Sequence, residues 1–259
     1  MFGLFNNTPP VDADASRWLL DAFDWALQNF EPEFFGAHPQ LVLPSADHFP
    51  GKADSIEGMA NMVFDKVKAF AGVAHWPTLL VDQTVCPVMQ LSQVEIHGAL
   101  RGPDGVANAA VAAENRLQIP FNPQQVNQPE ALIASFAYGV AHHLGPQART
   151  TPPGGPEHQP LLTELLAIYL GFGLMFANSA FTFRGGCGSC YNPAANRHAA
   201  LSETESTYAL AIFATLKDIP DSAITRHLKK HLRGVYRRSL KDLQAHEDEL
   251  NRMRTRMAG

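Results

Sequence analysis

Cysteine is scarce in this chain of 259 residues: Cys86, Cys187 and Cys190 are the only three. An odd count of three supports no disulfide framework, so a reducing compartment is the expectation. Charge is sparse as well. Asp, Glu, Lys and Arg together make up 17% of residues, and the formal net charge is −5. That balance argues against a general nucleic-acid binder. The opening MFGLFNNTPPVDADAS lacks a basic region followed by an apolar one, so it does not read as a secretory signal. Phosphate-binding loops of the G-x-x-x-x-G-K-[ST] type, dinucleotide fingerprints and G-x-S-x-G elbows are all missing. The remainder is 46% hydrophobic, which is ordinary for a globular domain with a sizeable core. A soluble cytoplasmic protein is expected.

One uncharged run tests that expectation. LLAIYLGFGLMFANSAFTF, residues 165–183, lies between Glu164 and Arg184 and just reaches the length of a membrane span. Its glycines, Asn178, Ser179 and Thr182, and the absence of a second such run, favour a buried core helix.

Periodicity organises the rest. Residues 13–30 carry Trp18, Leu19, Phe23, Ala26, Leu27 and Phe30 at helical spacing. Residues 31–51, rich in Pro and Gly, read as an extended connector. A helix is predicted over 55–70, opened by Asp54 or Ser55 and closed near Gly72. Strands are predicted at 78–83, 87–100 and 116–121, with RGPDG as a turn. A helix follows, with Pro129 in its first turn. The apolar helix 160–178 comes next, then a loop containing GGCGSCYNP. Two helices close the chain: 202–217, opened by a Ser202–Glu205 capping box, and 222–253. No internal repeat is visible. The predicted fold is α+β in one domain: a helical part (1–75), a strand-rich part (76–122), a pair of helices carrying polar residues (123–180) and a C-terminal loop with helices (181–259).

The chemistry concentrates in AYGVAHHLGPQ, residues 137–147. On a helical wheel Leu132, Ile133, Phe136, Ala137, Val140 and Leu144 form an apolar stripe. His142 falls opposite it, a turn beyond Tyr138, and His143 lies at the stripe's edge. Glu164, in LLTELLAIYLGFG, is a lone carboxylate on a helix apolar nearly all round. Such a group needs a cation, a metal or hydrogen-bond donors. It reads either as a metal ligand or as a carboxylate facing backbone amides near a helix start at Pro160.

The order of a strand RLQIPF, a helix running into A-H-x-L-G and a later helix bearing T-E-L-L-A resembles the core of gluzincin-type zinc metallopeptidases and their bacterial relatives. In those proteins H-E-x-x-H supplies two zinc ligands and a general base, and a later glutamate completes the site. By position, the resemblance places His142 at the first ligand, His143 at the general base, Pro146 at the second ligand and Glu164 at the third. Two of these four cannot do the family's chemistry. Pro146 has no ligand atom, and His143 lacks the carboxylate's charge. The resemblance, confined to about a quarter of the chain, therefore implies a zincin-like fold with a broken motif. It implies a pseudo-metallopeptidase with a binding or regulatory role and a protein or peptide partner.

The alternative is a working hydrolase with a rearranged zinc site, built from His142, His143 and Glu164 with Cys187 and Cys190. Histidines such as His142 or His198 could join that C-x-x-C pair in a rescue site. A membrane-associated protein using 165–183 is a further alternative. No cofactor is expected, zinc being the metal these residues would accept. His227 and His231 have ligand spacing, but they stand among Arg226, Lys229, Lys230 and Arg233, a field that repels a cation and suits a solvated basic face.

Overall fold

A computed structural model describes residues 8–38, 41–83, 96–106, 116–180 and 199–259. It is 64% helical with a two-stranded parallel sheet, an α+β architecture as expected. A single cluster of buried apolar side chains runs from Val11 to Met253.

Helix α1 (Ala13–Asn29) starts where the Asp12 carboxylate accepts from the Ala15 amide at 2.8 Å. It buries Leu19, Phe23, Ala26 and Leu27, the stripe that the spacing predicts. The connector expectation for 31–51 is corrected in part. Pro32–Ala37 forms a short helix, α2, with proline in its first turn and Phe35 buried under it. Proline is compatible with a helix start, and the buried Phe35 ring anchors the segment by stacking on Tyr169 at 4.5 Å and meeting Phe213 edge-on at 5.7 Å. Helix α3 (Ile56–Ala71) is capped by Ser55 and ends at Gly72, as expected.

Strands β1 (Thr78–Asp82) and β2 (Leu117–Phe121) pair in parallel, with Thr78 opposite Leu117 and Asp82 opposite Phe121. Of the strand expected over 87–100, residues 84–95 lie outside the described residues. Residues 96–100 hold only an isolated bridge between Gly98 and Gly105, which brackets the expected RGPDG turn. The alternating Leu117, Ile119 and Phe121 of β2 point inward, onto helix α4 (Pro129–Leu144). The two elements pack closely because Gly139 offers no side chain: a Cβ there would lie 3.0 Å from the Ile119 Cγ2.

The apolar run becomes α5 (Gln159–Ala167), a π-turn over Ile168–Phe172, and α6 (Gly173–Ser179). By length and composition Pro156–Ser179 could cross a membrane, yet 89% of its most apolar window is buried inside the fold. That burial favours the core-helix reading. The π-turn centres on Gly171 at φ 100°, a backbone region costly for any residue with a Cβ. The freed Gly171 carbonyl accepts from the Val42 amide at 3.0 Å.

Helix α7 (Glu203–Leu216) packs on α6 and α9, and its Ser202–Glu205 capping box forms as expected. The single helix expected over 222–253 is corrected. It divides into α8 (Asp221–Thr225), α9 (Lys230–Leu243) and α10 (Glu247–Met257). The cause of the first break is buried Asn178 on α6. Its amide donates to the His227 carbonyl at 3.0 Å, and its oxygen accepts from the Lys229 amide at 3.1 Å. Those backbone groups are thus satisfied without a continuous helix.

Candidate functional site

Pro129 opens α4 in its first turn, and the helix runs to Leu144 before tightening into a 3-10 turn, Gly145–Gln147. Pro146 therefore ends the α-helical hydrogen bonding without a sharp change of direction, since Gly145 keeps helical angles. Near this end lie the two histidines.

His143 is buried, with only 2% of its surface exposed. Its Nε2–H donates to the Gln118 carbonyl of β2 at 3.0 Å; a carbonyl only accepts, so Nε2 carries the hydrogen. Burial pulls its pKa below the usual histidine value, and the bond to Gln118 opposes that shift. His143 thus fixes α4 to the sheet. His142 is half-buried, stacked beside Tyr138 at 6.4 Å and edge-on to His143 at 5.3 Å and 81°. The two imidazoles do not converge, as adjacent positions on a helix require. Burial, then the neighbouring His143, lower the His142 pKa to about 4. Among the described residues its buried Nε2 has no hydrogen-bond partner, which leaves a neutral ring with one unused polar atom there.

Glu164 is fully buried on α5. It does not face the amides of its own helix start near Pro160, one of the two readings the sequence offers, but amides far along the chain. Oε1 accepts from the Ala200 amide at 3.0 Å and Oε2 from the Leu201 amide at 2.9 Å. The carboxylate holds the residues that lead into α7, immediately before the Ser202 cap. Charge-assisted bonds of this kind offset the cost of burying an anion.

The fit of these residues to zinc follows directly. A structural or catalytic zinc normally takes three or four protein ligands. The His143 Nε2 and both Glu164 oxygens are already engaged by backbone groups, and Pro146 supplies no donor. Among the described residues, no three of His, Cys, Asp and Glu gather around a common point. The resemblance-based ligand set does not form a zinc site there. Cys86, Cys187, Cys190 and His198 lie outside the described residues. His227 and His231 are separated by the α8–α9 break, and His231 instead meets the Glu203 Oε1 at 3.0 Å.

Sequence reasoning missed a second buried polar cluster. Arg101, within the RGPDG turn, is 1% exposed and lies between the rings of Phe34 and Tyr169, each 5.1 Å from its guanidinium carbon. Its Nε donates to the Ala71 carbonyl at 3.0 Å, while both terminal nitrogens are buried without a hydrogen-bond partner among the described residues. Glu31, at φ 41°, accepts from the Leu100 amide at 2.8 Å. Burial raises its pKa against the opposing pull of that bond and of Arg101. A tyrosine in an otherwise apolar helix was the signal available: Tyr169 donates to the Phe30 carbonyl at 2.8 Å.

Compared with known proteins, the chain matches no protein-family model, and no curated protein or solved structure aligns with it.

Proposed function

We propose that this chain is a zincin-like, cytoplasmic α+β domain that binds a protein or peptide without hydrolysing it. One observation carries the reading. At the position where a peptidase of this kind needs a free general base, His143 is spent on a bond to the Gln118 carbonyl. A base must reach the water it deprotonates, and this imidazole is turned into the sheet. The two bonds held by Glu164 support the same reading, since they use the third ligand as a tether.

The test is elemental analysis of untagged protein purified without chelator, then zinc titration and assay against generic peptides. Substoichiometric zinc and no chelator-sensitive hydrolysis are expected. Stoichiometric zinc with hydrolysis overturns the proposal. The second reading, a rearranged zinc site, draws on the unpartnered Nε2 of His142. Zinc uptake lost in a Cys187→Ser/Cys190→Ser variant and in His142→Ala would establish it.

A further inference from the structure

Two cations and two histidines, exposed or half-buried, meet where the end of α7, α8 and the residues after α2 come together. Lys217, Arg226 and His227, with His38, surround a cavity of about 490 Å3 whose apolar lining includes Leu41, Leu43 and Ile219. No carboxylate lines it among the described residues. Within a chain of net charge −5, that is a local reversal of sign.

The cations are held in place by bonds to neutral partners. The Lys217 ammonium donates to the carbonyls of Phe35 (2.6 Å) and Gly36. An ammonium has three N–H groups, so one is left over. Arg226 uses its Nε on the Ser222 carbonyl at 3.0 Å, leaving its terminal amino groups uncommitted among the described residues. The electrostatic surroundings agree. Lys217 is depressed by burial and then by Arg101 behind it; His227 is depressed by burial, then by Arg226 and His48. Both have basic neighbours and no acid among the influences on them, and the depressed His227 is a neutral imidazole at pH 7. Two positive groups and a neutral imidazole lining one cavity without counter-charge among the described residues, over an apolar floor, are complementary to an anion that carries an apolar body.

We propose that this cavity is a binding site for a small organic carboxylate with an aliphatic body, its head group paired with Lys217 and Arg226 and hydrogen-bonded by the neutral His227, and its chain laid on Leu41, Leu43 and Ile219. The inference is independent of the zincin-like reading, because it uses none of the residues of α4 or α5.

The test is calorimetric titration of the full chain with octanoate, with 1-octanol as the neutral analogue, octylamine as the cationic one and inorganic phosphate as the bare anion. Octanoate should bind saturably, at least about tenfold tighter than each of the other three, and more weakly in 0.5 M salt. An Arg226→Gln/His227→Gln variant changes exposed side chains that tie down no other element. It should keep the thermal midpoint and lose affinity for octanoate by about tenfold or more. Lys217→Met should lose affinity too, with a lower midpoint because the α2 carbonyls lose their partner. Equal binding of octanoate and octanol, phosphate binding as tight as octanoate, no octanoate binding, or an unchanged dissociation constant in the Arg226/His227 variant each overturns the proposal.

Discussion

His143 and Gln118 are joined across the seam between α4 and β2 by a hydrogen bond of 3.0 Å from imidazole to backbone carbonyl. A strand only five residues long with, among the described residues, one pairing neighbour relies heavily on side chains from the helix beneath. The bond therefore belongs to the fold's stability. His143→Ala should cost about 2–3 kcal/mol, combining an unsatisfied buried carbonyl with a cavity. His142→Ala, which breaks no hydrogen bond, should cost about 1 kcal/mol or less. Urea unfolding measures both, and equal losses would contradict the assignment.

Glu164 gives a second test of tether against ligand. Glu164→Gln replaces one accepting oxygen with an amide that donates, opposite a backbone N–H that also donates. A loss of about 2–3 kcal/mol is expected. Native-state hydrogen exchange should show the amides of Ala200 and Leu201 losing protection before those of α7. Unchanged protection at those two amides would sink the tether.

Acid should destabilise the protein through the histidine pair. The folded pKa of His142, about 4, lies below its ordinary 6.5, so the unfolded chain takes up a proton that the native one refuses. Stability from this group is complete above about pH 6.5 and is lost as pH falls toward 4, with a slope of at most about 1.4 kcal/mol per pH unit. His143 is shifted the same way and adds to the loss. Glu31, raised by burial, works with the opposite sign, so the raw curve mixes the contributions. Subtracting the stability curve of His142→Asn isolates the effect, and a difference that stays flat between pH 6.5 and 4 would refute it.

Arg101 separates packing from charge. Arg101→Ala should cost about 3 kcal/mol, because it empties the space between Phe34 and Tyr169 and leaves Glu31 without its nearby cation. Arg101→Met keeps an unbranched chain between the rings and removes two unpartnered nitrogens. Its cost should be about half that of the alanine variant. Thermal unfolding of the two variants side by side decides it, and a methionine variant as unstable as the alanine one would mean that the guanidinium charge matters more than its bulk.

Relaxing the backbone at the π-turn should cost stability in the same range. Gly171→Ala forces a Cβ onto φ 100°, for a loss of about 1–3 kcal/mol. Gly173→Ala also meets resistance, from the Leu210 Cδ1 at 2.9 Å, but at ordinary helical angles. Gly171 should therefore be the less tolerant position in a denaturation series; the reverse order would show that the turn shifts register when substituted.

Local chemistry alone determined much of this protein. The apolar spacing of α1 and α3, the caps at Ser55 and Ser202, Pro129 at a helix start and the alternation in β2 all act within a few residues, and the chain carries them openly. The polar residues of the candidate site were legible too: His142, His143 and Glu164 were conspicuous as polar groups on apolar helices. Their roles were not. Whether Glu164 meets its own helix or the amides of residues 200 and 201, and whether His143 faces solvent or a strand carbonyl, depends on which distant backbone groups reach them. The same holds for Asn178, which breaks the last helical run from a different helix, and for Arg101, which a turn motif concealed and two aromatic rings enclose. Periodicity records which face of an element is buried. A hydrogen bond between groups tens of residues apart leaves no period behind, so the tertiary structure alone decides it.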